Sequence, residues 1–110
     1  MAKDDFFVIV YQLLKYLYER LKNGEKPELC YLSSSIYSIP ESYWEYILSC
    51  LINEQYIAGI TVTQVKGGVV FGDLQSATIT PKGIEFFFEN SLIQKAKRTL
   101  KDVKDLMPFV

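Results

Sequence analysis

Apolar residues recur at helical spacing through the first part of the chain. Phe6, Val10, Leu13, Leu14, Leu17 and Leu21 share one face, and Phe7, Tyr11, Leu14 and Tyr18 make a second stripe beside it. The pattern predicts a helix from about Asp5 to Lys22, with Asp4 or Asp5 as N-cap and Asn23-Gly24 at its end. A stripe this wide needs cover from two directions. Pro27 breaks the connector that follows, and Leu29 to Leu32 reads as a short edge strand. Ser33-Ser34-Ser35 offers hydroxyls to cap a short helix through Ile36 and Tyr37.

A second helix start follows at once in Ser38-Ile39-Pro40-Glu41. Pro40 suits the first helical position, while Ser38 and Glu41 have capping-box spacing. The two devices imply caps one residue apart and leave the start open. This helix is expected to reach about Glu54, with Trp44, Ile47, Leu48 and Leu51 inward and Ser42, Glu45, Tyr46, Ser49 and Asn53 outward. The period then changes from helical to alternating. Ile60-Thr61-Val62-Thr63 reads as a half-buried strand, Lys66-Gly67-Gly68 as a turn, and Val69-Val70-Phe71 as the return strand. Gly72-Asp73 marks a bulge or bend before Ala77-Thr78-Ile79 resumes the strand. Thr80 then caps a helix with Pro81 at its first position. Asn90-Ser91 interrupts or restarts it. A last helix is expected from about Leu92 to Leu106, stopped by Pro108, with Ile93, Ala96, Leu100, Val103 and Met107 as a heptad-like seam. That seam and the wide stripe of the first helix are expected to pack on each other, with a homodimer as the rival arrangement.

Two helices joined by a tight turn and followed by a hairpin describe an α+β winged helix. Its parts are a helix-turn-helix, a two- or three-stranded β-wing and additional C-terminal helices, in a single domain over 1–110 with 91–107 as a packing helix. In Thr80-Pro81-Lys82-Gly83 the hairpin must end at the core and pass at once into a helix; a Thr cap, a Pro and a close-packing Gly do that. Ile57-Ala58-Gly59, Ile79-Thr80-Pro81-Lys82-Gly83, and Glu89-Asn90-Ser91 before a Lys-rich helix together resemble the YjcQ-like family of small winged-helix proteins of Gram-positive bacteria and their prophages. The resemblance spans most of the chain. It implies a winged-helix fold and carries over no catalytic residues.

Composition narrows the chemistry. The 110 residues are 49% hydrophobic and 15% aromatic, with eight Tyr, seven Phe and one Trp, enough for one core at this length. Mean hydropathy is +0.08. Histidine is absent, which removes the commonest general base and metal ligand. Cys30 and Cys50 stand twenty residues apart without metal-type spacing and read as reduced apolar fillers. No phosphate-cradling G-x-x-x-x-G-K-[ST] occurs, and Asp4-Asp5 suits a helix start. No enzyme and no cofactor are implied. The start Lys3-Asp4-Asp5 before an interrupted apolar run is not a secretory signal, and no segment is apolar enough for a membrane span, so the expectation is a cytoplasmic protein without membrane contact.

Charge decides between two uses of a winged helix. The formal net charge is −1, but it is unevenly spread. From Ser33 to Ile60 the acidic residues are Glu41, Glu45 and Glu54, with no Lys or Arg. A glutamate about 7 Å from a phosphate is repelled by roughly 0.5–2.5 kcal/mol, depending on the effective dielectric. A third helix of this kind cannot supply the phosphate neutralisation on which DNA affinity rests. The basic residues sit elsewhere: Lys66 in the wing, and Lys97, Arg98, Lys101 and Lys104 on the last helix. These are the candidate phosphate contacts if DNA is bound; otherwise they are a solvated outer face. Tyr and Trp favour protein interfaces. The reading is therefore a regulatory module acting through a protein partner or a homodimer, with Ser42, Tyr43, Glu45, Tyr46 and Ser49 as its candidate surface. The alternative is a DNA-binding transcriptional regulator.

Overall fold

The computed structural model describes residues 5–102, with backbone alone for 5 and 99–102. The first helix, α1 (Asp5–Asn23), is the one the apolar period predicts. Its end is a Schellman turn: Gly24 adopts φ +70°, its N–H bonds to the Leu21 carbonyl, and the Glu25 N–H bonds to that of Arg20. Val10, Leu13, Leu14 and Leu17 are almost wholly buried, whereas Leu21 at the end of the same row is exposed. The second stripe is covered as its width requires. Tyr11 stacks on Phe87 with ring centres 5.3 Å apart, and Tyr18 meets both Phe87 and Phe88.

The expected edge strand at Leu29 to Leu32 does not form. Leu29–Tyr31 is a 3₁₀ turn, and among the described residues no strand pairs with it, so the local β-propensity has no ladder to satisfy. The short helix α2 (Ser34–Tyr37) follows, and Ser38 closes it in the left-handed conformation. The third helix, α3 (Glu41–Asn53), starts one residue later than the proline-first reading has it. Pro40 is the N-cap, in extended conformation, and gives no side-chain cap. The capping box is absent as well. Ser38 is spent on ending α2, and the Glu41 carboxylate instead accepts from the Ser34 hydroxyl at 2.8 Å. Trp44, Ile47, Leu48 and Leu51 are buried as their spacing predicts.

Among the described residues, four strands form two separate antiparallel pairs. β1 (Ile57–Ala58) pairs with β4 (Thr78–Ile79), Ile57 opposite Ile79. Between them lies the hairpin of β2 (Thr61–Val65) and β3 (Gly68–Gly72), with Thr61 opposite Gly72 and Val65 opposite Gly68. The strand that resumes at Ala77 therefore joins β1, not the hairpin. The break is at Asp73, which takes a positive φ of 58° and opens a 3₁₀ turn over Leu74–Ser76. Gly59 lets β1 pass that turn: with φ +90°, any Cβ there would overlap the Ser76 carbonyl.

The crossing from sheet to helix is tight. Thr80 caps α4 (Pro81–Glu89) by accepting from the Gly83 N–H at 3.0 Å, and Pro81 opens the helix, as the sequence predicts. The Thr80 N–H bonds to the Tyr56 carbonyl at 3.0 Å and its hydroxyl donates to the Gln55 carbonyl at 2.6 Å. Gly83 is buried against the same Tyr56 carbonyl, where a Cβ would overlap it. Asn90 ends α4 and starts α5 (Ser91–Asp102), its side-chain oxygen accepting from the Leu92 and Ile93 N–H groups. α5 packs on α1 and α4 through Ile93 and Ala96, the intramolecular arrangement expected of the two apolar seams. The Leu100 side chain, Val103, Met107, Leu106, Pro108 and the alternative cap Asp4 lie outside the described residues. The result is an α+β domain in which α1 lies against α4, α5 and β4. Among the described residues no helix is long and apolar enough to cross a membrane.

Candidate interaction face

α3 meets the core with one face, and its other positions divide into two rows. Glu41 and Glu45, four apart, make the row beside the hairpin, and it runs into buried Leu48 of the core face. Ser42, Tyr46 and Ser49 make the next row. Tyr46 is 60% exposed and rests an edge on Phe6 of α1, ring centres 6.2 Å apart. A hydrogen bond with the Cys50 thiol, one turn on, pushes the Tyr46 hydroxyl above the usual phenol range. Ser42 is exposed, whereas Tyr43, Glu45 and Ser49 are half-buried. Tyr43 packs against the core, so it belongs more to the fold than to a free surface.

Beside the Glu45 row runs an open groove of about 440 Å³ between α3, the Leu29–Tyr31 turn and β3. Its apolar walls include Leu29, Trp44, Leu48, Val70, Phe71 and Leu74, and Glu41 and Glu45 contribute the carboxylates. None of its lining residues is Lys or Arg. Two of its walls face solvent: Leu29 is 56% exposed and Val70 52%. Of the five surface residues predicted from sequence, the groove takes Glu45 alone; Ser42, Tyr46 and Ser49 lie on the adjoining row, and Tyr43 packs against the core. Leu29, Val70 and Phe71 were not legible as part of a surface. The available signal was Val69-Val70-Phe71, three successive apolar residues on a two-stranded hairpin, which alternates faces and cannot bury them all on one side.

The basic candidates fall on two other places. Lys66 is in the two-residue hairpin loop and is exposed. Lys97 and Arg98 are exposed on α5. The Lys101 side chain and Lys104 lie outside the described residues. Cys30 is exposed and Cys50 half-buried, both as free thiols. Among the described residues no three His, Cys, Asp or Glu side chains gather closely enough to hold a metal ion.

Two of the three segments that carried the resemblance in sequence prove to be crossing points of the fold, Gly59 against Ser76 and Thr80 with Gly83 against Gln55 and Tyr56, and the third, at Asn90, joins α4 to α5. No curated protein and no solved structure matches the chain. The family model described as YjcQ protein matches residues 11–106, which takes in every one of those crossings, and the chain belongs to that family.

Proposed function

We propose that this chain is a non-enzymatic, regulatory winged-helix module that acts through protein–protein contact on the face formed by α3 and the β2–β3 hairpin. The winged-helix reading draws on the order α2, turn, α3, hairpin, with β1 and β4 closing the base of the hairpin. The observation that carries the protein contact is the groove beside α3. It is apolar, solvent-facing and bordered by carboxylates without a single cation, the reverse of what a phosphate backbone requires. Exposed Tyr46 extends the face with the kind of side chain that anchors protein interfaces.

A specific observation favours DNA as the second reading: Lys97 and Arg98 both project to solvent from α5. Fluorescence anisotropy with mixed-sequence duplex DNA separates the two. Protein contact predicts no salt-sensitive binding. Affinity that falls steeply with salt and is lost in Lys97→Glu plus Lys101→Glu replaces it with DNA binding. Immobilised wild type, Tyr46→Ala and Glu45→Lys chains supply the positive arm. The proposal requires a protein retained by wild type and lost from both variants while their melting temperatures stay near wild type. If the two variants mainly lose stability, these residues are structural.

A further inference from the structure

Resting on the protein-contact reading, we infer that the groove between α3 and β3 takes a cationic amphipathic segment of the partner protein, with apolar side chains against Leu29, Val70 and Phe71 and Lys or Arg at Glu41 and Glu45. The groove is lined by four separate elements, α3, the Leu29–Tyr31 turn, β3 and the Leu74–Ser76 turn, and opens to solvent, as a site for a peptide segment must. Its floor is buried Trp44 and Leu48, so an entering side chain reaches the edge of the core and leaves water behind. The walls Leu29 and Val70 gain most from such cover because each now shows more than half of its surface to solvent. Charge then selects the occupant. Both charged lining residues are glutamates. One Glu41 oxygen is engaged by the Ser34 hydroxyl, which fixes that carboxylate at the mouth of the groove. An acidic segment with the same apolar spacing would bring like charge against both glutamates, and DNA would bring more.

The probe is a synthetic helical peptide with leucines on one face and lysines flanking them, beside a twin with glutamates in place of the lysines. Trp44 is the one tryptophan in the chain and lies on the groove floor, so its emission reports occupancy directly. The lysine peptide should shift Trp44 emission and bind about tenfold or more tightly than the glutamate twin. Glu45→Lys and Val70→Ser, both outside the core, should each weaken the lysine peptide severalfold; urea titrations verify that they fold. Equal binding of both peptides, or lysine-peptide binding indifferent to both substitutions, overturns the inference. So does a concentration-dependent dimer, seen by light scattering, that Glu45→Lys or Val70→Ser dissolves, since a second copy then fills the groove. These failures leave protein contact standing, because that reading falls on other results: salt-steep duplex binding through α5, no protein retained by wild type and lost from its variants, or the loss of stability described for those variants.

Discussion

Gly83→Ala pits two effects against each other. Gly83 lies in the first turn of α4, and its φ is not in the left-handed region, so helix propensity alone favours alanine by up to about 1 kcal/mol. The tertiary structure opposes it. A Cβ would overlap the Tyr56 carbonyl oxygen and stand 2.8 Å from Ile79 Cγ1. The Ile79 methylene can turn away; the Tyr56 carbonyl cannot, because it accepts from the Thr80 N–H and is followed at once by β1. Relief requires α4 to move off the sheet. That strains or breaks the bonds from Thr80 to Tyr56 and Gln55, each worth about 1 kcal/mol, and adds about 1–3 kcal/mol of overpacking. After the propensity gain, the net loss is about 2–4 kcal/mol, a large part of the 5–15 kcal/mol typical of a domain. Thermal unfolding followed by circular dichroism should show the melting temperature fall by roughly 10–25 °C. A variant as stable as wild type, or more stable, would refute the close approach and leave propensity as the governing term.

Three further outcomes follow from other contacts. Asn90→Ala removes the oxygen that caps Leu92 and Ile93 and should cost about 1 kcal/mol in urea unfolding, while Asn90→Asp, which keeps the acceptor, should retain stability; an equal loss in both excludes the cap. Tyr37 is stacked on Trp44, and its hydroxyl is sealed from solvent with no hydrogen-bond partner, so Tyr37→Phe should stabilise the fold by about 1 kcal/mol, and a destabilised variant would mean that the hydroxyl has a partner. Burial raises the Tyr37 and Tyr11 phenols, and Cys50 raises that of Tyr46, so the folded state holds these protons more tightly than the unfolded chain. Stability should be constant below about pH 10 on their account and fall above it as the unfolded chain ionises first; urea midpoints across that range should drop less steeply in Tyr37→Phe.

Much of the fold was legible because its signals are local. The stripe of α1, the inward residues of α3 and the Thr80-Pro81 start of α4 each depend on side chains within a turn or two of one another, and each appears where the spacing places it. The failures came where neighbours compete. Ser38 was eligible both to end α2 and to start α3, and it can serve only one. Leu29 to Leu32 reads as a strand locally, but among the described residues no strand pairs with it. The candidate face was half legible. Helical spacing put Glu45 and Tyr46 outward, but it cannot tell that Glu45 borders a groove while Tyr46 rests on Phe6, since both neighbours come from distant segments.

The amino-acid sequence by itself determines the helices, the hairpin loop and the negative charge around α3, because periodicity, caps and charge counts are short-range properties of the chain. It also contains the Gly59, Thr80 and Gly83 motifs on which the resemblance to the family was read. Only the tertiary structure decides what those motifs do and where the open surface lies. Gly83 matters because Tyr56 passes beside it, twenty-seven positions earlier in the chain. Leu29, Trp44 and Val70 become one groove because α3, the 3₁₀ turn and β3 share a single core, and packing, which acts across any sequence distance, brings them together.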